Sequence, residues 1–191
     1  EWAQANPGRY TYTQPPNFHG TTFLKQALIE LAPDPAVLLN PAADVAKHTA
    51  ALWAYLDALH PVMWRRGEVF PQNGPAVLRL LDDGEVAIAL SFQPAEASGL
   101  IASGKLPETV RTFVLENGTI GNTNFVAIPF NAKAREGAQV LANFLMSPEA
   151  QAHKQDPDVW GSFTVLDLDR VPAKDHATFA KLDLGVATLS P

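Results

Sequence analysis

The run from Asp83 to Ala97 (DGEVAIALSFQPAEA) constrains the fold of this chain more than any other stretch. Ahead of it, Val77, Leu78, Leu80 and Leu81 stand at helical spacing within residues 75–83. Gly84 falls where a helix stop belongs. Residues 86–90 are apolar at every position, as in a strand covered on both faces. Ser91, Phe92 and Gln93 then turn polar, and Pro94 is placed as the first residue of a new helix. In an open α/β sheet the carboxyl ends of strands open into the ligand crevice, so residues 91–96 are expected to face one.

The remaining segments repeat this alternation. Residues 8–13 (GRYTYT) carry the aromatic and β-branched side chains of a short strand, which Pro15 and Pro16 cut off. A helix is expected from near Thr21, with Phe23, Leu24, Ala27, Leu28 and Leu31 apolar. Thr21 or Thr22 would cap it, and its first-turn N–H groups offer a seat for a polar or anionic ligand group. Pure capping explains the two threonines equally well. Asn40-Pro41 predicts the start of a helix to about His60, with Val45, Leu52, Tyr55, Leu56 and Leu59 as its buried stripe. Trp64 can stack on a ligand or simply pack, and Arg65-Arg66 reads as a solvated face.

Beyond Gly104, residues 110–115 and 125–129 read as strands, with a polar segment at 121–124 between them. Residues 133–146 form an amphipathic pattern that would turn Val140, Leu141, Phe144 and Leu145 inward. Ser147-Pro148-Glu149 predicts a capped helix running into His153-Lys154. The tail carries Trp160-Gly161 and an alternation at Val165, Leu166 and Leu168, then weakens. Together these segments predict an α/β fold with a mostly parallel sheet flanked by helices. The opening Glu1-Trp2-Ala3-Gln4-Ala5-Asn6, with neither an initiator Met nor a signal-peptide pattern, reads as the end of a helix in a piece of a longer chain.

Composition narrows the function. A net charge of -6 argues against a nucleic-acid partner, because phosphate binding needs a basic surface. The absence of cysteine excludes disulfides, thiolate metal sites and cysteine nucleophiles. No apolar run reaches the length of a membrane span. There is no phosphate loop, dinucleotide fingerprint or Gly-x-Ser-x-Gly elbow, so no cofactor is indicated. The histidines His19, His48, His60, His153 and His176 lack zinc-ligand spacing, so no metal site is indicated either. Glu96 suits a helix dipole better than general acid work. Asn117-Gly118-Thr119 matches a glycosylation acceptor, a short and common pattern.

What remains is a set of polar and aromatic residues at expected strand-to-helix turns: Tyr12, Gln14, Phe18, Gly20, Thr21 and Thr22, then Trp64, then Ser91, Phe92 and Gln93, then Asn122, Thr123 and Asn124. Amides, hydroxyls and rings without a nucleophile–base pair are what a small-molecule crevice needs. Rings beside Gln14 and Gln93 suit an organic, cationic solute, and suit other solutes as well.

The same residues resemble a known family. Residues 8–24 (GRYTYT…PNFHGTTFL), 81–97 (LDDGEVAIALSFQPAEA), 121–129 (GNTNFVAIP) and 141–152 (LANFLMSPEAQA) succeed one another as in ABC-importer solute-binding proteins, nearest those grouped with thiamine, polyamine and iron receptors. The resemblance implies a type II periplasmic-binding-protein fold, in its C-terminal portion only. Residues 1–120 would be domain 2, with a hinge near 8–13 and 116–124. Residues 121–191 would return to domain 1. It further implies a periplasmic receptor that captures a small-molecule solute and delivers it to an ABC permease in the inner membrane, without catalysis. A ligand-sensing effector domain of a regulator, or an enzyme using the same cleft, is the alternative.

Overall fold

The computed structural model describes residues 1–39 and 44–189. Among them are eight α-helices: α1 (Trp2–Ala5), α2 (Phe18–Leu31), α3 (Val45–Leu59), α4 (Gly74–Asp82), α5 (Glu96–Ala102), α6 (Arg135–Leu145), α7 (Pro148–Gln155) and α8 (Ala173–Ala180). The chain divides into two compact units, Glu1–Ser91 with Val114–Ile120, and Phe92–Phe113 with Gly121–Pro191.

The first unit is built on α2 and α3. Asn17 starts α2, its side-chain oxygen accepting from the His19 N–H at 3.0 Å. That corrects the expected start at Thr21. An asparagine caps better than threonine and stands at the first position free of the proline pair, so Thr21 and Thr22 fall inside the helix. The Asn40-Pro41 start expected for the next helix lies outside the described residues, and Asp44 caps α3 by accepting from the Lys47 N–H. Leu52, Leu56 and Leu59, on one helical face, enter the core with Tyr12 and Met63. Val45 and Tyr55, expected on that stripe, are exposed. α4 ends at Asp82 as its pattern predicts, with Gly84 in the left-handed region.

The expected parallel α/β sheet is absent: the described residues contain no strand, and a single parallel bridge joins Tyr10 to Ile88. The reason lies in where the backbone of the extended segment finds its partners. Gly8 N–H and Tyr10 C=O bond to Val62 and Trp64, on 3₁₀ turns at His60–Val62 and Trp64–Gly67. Arg9 C=O accepts from Ala87, and Gln14 N–H donates to Pro71. These partners are scattered over three segments, so no second strand runs in register long enough to make a ladder. Val86 is buried as expected, but Ala87 beside it is exposed, so this run is covered on one face only.

The second unit packs α6 and α8 against α7. Ser147 caps α7 by accepting from the Ala150 N–H at 3.2 Å. Two buried glutamines on α7 organise the chain that follows. Gln151 donates to the Leu145 carbonyl at 2.7 Å and accepts from Val165 N–H, while Gln155 accepts from Thr164 N–H. Side-chain amides thus take up the backbone donors of Thr164 and Val165. α5 begins at Glu96, two residues after the expected Pro94. The segments 110–115 and 125–129 form no strand, and Phe113 and Val114 are exposed, as is Phe125 at 87%. The inward stripe expected on α6 is also corrected: Val140, Leu141, Phe144 and Leu145 all face solvent in this chain. Periodicity marks a helix face that can be covered, and says nothing of what covers it.

Candidate functional site

The amino end of α2 is where the first unit collects most of the candidate residues. Thr13 is buried and donates its hydroxyl to Asn17 Oδ1 at 3.1 Å. Gly20 presses on the same threonine, since a Cβ there would lie 2.0 Å from the Thr13 carbonyl oxygen. The helix can approach this closely only because position 20 lacks a side chain. Thr22 is buried and Thr21 half-buried behind this contact, while Gln14 and Phe18 stand exposed around it.

Tyr12 sits beneath, in the core. Its ring stacks on Phe23 at 4.4 Å and tilts against Phe70 at 5.0 Å. Its hydroxyl and His60 Nε2 are 2.9 Å apart, and His60 meets Phe70 edge-on. Burial raises the Tyr12 phenol above its ordinary value. Tyr10 is raised well above the ordinary value by burial and, secondarily, by Tyr55 and Tyr12. Spacing gave no means of joining Tyr12 to His60, 48 positions apart, nor to Phe70. Asn17 was the one missed residue with a local signal, a capping residue directly before an apolar-periodic run.

Trp64 is half-buried and donates its indole N–H to Glu85 Oε2 at 2.7 Å, with the Arg65 guanidinium 4.4 Å above its ring. Arg65 and Arg66 adopt positive φ, 48° and 56°, a conformation that costs bulky residues energy. Ser91 closes the first unit and is exposed. Phe92 and Gln93, half-buried, and the exposed Asn122, Thr123 and Asn124 belong to the second unit. The arrangement around α2 can hydrogen-bond and stack. No group of three or more His, Asp or Glu able to hold a metal occurs among the described residues, and no described helix is long and apolar enough to cross a membrane.

Comparison with known proteins gives this geometry a setting. The chain is 50% identical over 174 residues to Protein YnjB of Escherichia coli (strain K12), which covers 90% of the chain and 45% of that relative. The chain therefore spans less than half the length of the curated relative it matches. No solved structure matches it. The model of the family described as bacterial extracellular solute-binding protein matches residues 1–177. With the match running through nearly the whole sequence, the chain belongs to the bacterial extracellular solute-binding protein family.

Proposed function

We propose that this chain is part of the receptor of an ABC import system, which captures a small organic solute in the periplasm and delivers it to a permease in the inner membrane without turning it over. The observation that carries the reading is the family match across residues 1–177. The amino end of α2 supports it physically. Gln14 offers an exposed amide and Phe18 a ring 53% exposed, on a helix end whose field favours a polar or anionic ligand group. Gly20, Thr21, Thr22 and Tyr12 would hold that end rigid, and Trp64, Ser91, Phe92, Gln93 and 122–124 would supply further contacts in the whole protein. There, residues 1–120 would serve as one domain, and residues 121–191 would pack on another, covering the apolar surface of α6 and of 125–130.

Thermal melting against a panel of anionic, cationic and neutral organic solutes tests the reading. A solute that raises Tm and is recovered chemically unchanged is expected. Gln14→Ala or Phe18→Ala should weaken its binding by about tenfold, the loss of one hydrogen bond or stacked ring. Conversion of the solute to a product, or binding indifferent to both substitutions, would overturn it.

A further inference from the structure

Residues Val114–Ile120 belong to the first unit although the chain on either side of them belongs to the second. Side chains of α2 hold this short segment. Gln26 donates through Nε2 to the Gly118 carbonyl oxygen at 3.0 Å and to Glu30 Oε1 at 2.9 Å. Its Oε1 accepts from the Ile120 N–H at 2.7 Å. Asn117 Nδ2 donates to Glu30 Oε2 at 3.2 Å. Gln26 and Glu30, one helical turn apart, thus form a clasp, and both oxygens of Glu30 are engaged by amide donors.

Asn117 is followed by glycine in an exposed turn. Gly118 has a φ of 96°, and a Cβ built on it would meet nothing within 4 Å. Such a bond is open to intramolecular attack, because no side chain shields the following nitrogen. The Gly118 nitrogen bonds to Asn117 Cγ, the Cγ–Nδ2 bond breaks, and the amide leaves as ammonia. The resulting succinimide takes up one water and opens at either carbonyl, giving aspartate or isoaspartate. The Gly118 N–H donates to the Leu115 carbonyl at 3.1 Å, a bond that must open before attack.

The chain holds a built-in control. Asn73-Gly74 is the same dipeptide, but Asn73 caps α4, its Oδ1 accepting from the Ala76 N–H at 3.0 Å. Gly74 is buried, and a Cβ there would come 3.1 Å from the His19 ring. Cap and packing hold this bond away from the geometry of attack.

From this contrast we infer that Asn117 is a site of spontaneous deamidation, and that its product unfastens residues 114–120 from α2. The reaction replaces the donor facing Glu30 with a carboxylate. Two carboxylates then share the place of an amide–carboxylate bond, and like charges at that distance repel. The clasp becomes a one-way switch needing only water.

The test incubates the full chain at mildly alkaline pH and maps the mass change by peptide. A gain of about 1 Da is expected on the peptide holding Asn117, well ahead of the one holding Asn73, and absent in Asn117→Gln. Hydrogen exchange then reads the clasp. Asn117→Asp should exchange the Gly118 and Ile120 amides roughly tenfold faster, as for one lost charge-assisted bond. Adding Glu30→Gln should restore the slow rate by removing the repulsion. Conversion of Asn73 as fast as Asn117, parental exchange in Asn117→Asp, or failure of Glu30→Gln to restore protection would each overturn the inference.

Discussion

Replacing Gly20 by alanine puts a methyl carbon 2.0 Å from the Thr13 carbonyl oxygen, a distance no contact tolerates. The neighbour is backbone and already fixed by Thr13 and Asn17, so the helix itself must move. A loss of about 3 kcal/mol is expected, at the upper end of overpacking costs, and a thermal melt reads it. A melt unchanged from the parent would mean that the contact is not built this way. The buried phenols supply a second residue-scale test. The values of Tyr10 and Tyr12 in the folded chain lie above those of the unfolded chain, so folding favours the protonated form. That stability is intact below the ordinary tyrosine value of 10.0 and is lost as pH rises above it. Tyr10, raised furthest, should dominate. Tyr10→Phe is expected to flatten the fall of Tm with alkaline pH, and an unchanged slope would contradict the burial argument.

At the scale of elements, the caps carry definite expectations. Asn17→Ala removes the acceptor for the His19 N–H and for the Thr13 hydroxyl, and should destabilise the chain by about 1 kcal/mol or more. Ser147→Ala loses a single bond to the Ala150 N–H and should cost no more than that. Chemical denaturation of the two variants side by side checks the order.

Helices with a strong local signature were legible in the sequence. α4 with its Gly84 stop and α7 with its Ser147-Pro148 start follow from side-chain chemistry within a few residues. The helix α8 was not legible, because Ala173–Ala180 carries one large apolar residue, Phe179, whose burial depends on partners distant in sequence. The sheet was misread for a related reason. A run such as 86–90 reports that a segment is apolar and extended, whereas a ladder also needs a neighbour in register. Here 8–13 meets that run at one bridge, Tyr10 to Ile88, and at the Ala87–Arg9 bond; its other long-range backbone bonds go to 3₁₀ turns, and that of Gln14 to Pro71. The candidate residues around α2 were legible as a group because they are close in sequence. The Tyr12–His60–Phe70 cluster was not, since it exists only once α3 and the turns after it have packed.

For the whole molecule, the family match and the exposed apolar side chains bear on the same question, what the proposed receptor would hold. Phe125, Phe130, Val140 and Leu141 are all more than half exposed in this chain, which is the surface expected to be covered if residues 121–191 pack on a further domain. Val140→Asp, in that case, should leave the folding of the isolated chain almost untouched and destabilise the longest form its gene encodes, as paired melts would show. The central claim concerns the solute, and native mass spectrometry addresses it most directly. The protein is taken in that longest form, purified gently and never refolded. A small retained mass that is released intact on denaturation is the expected result. A covalent adduct on a residue such as His60 or Glu96, or conversion of the released compound during incubation, would contradict a receptor that binds without chemistry.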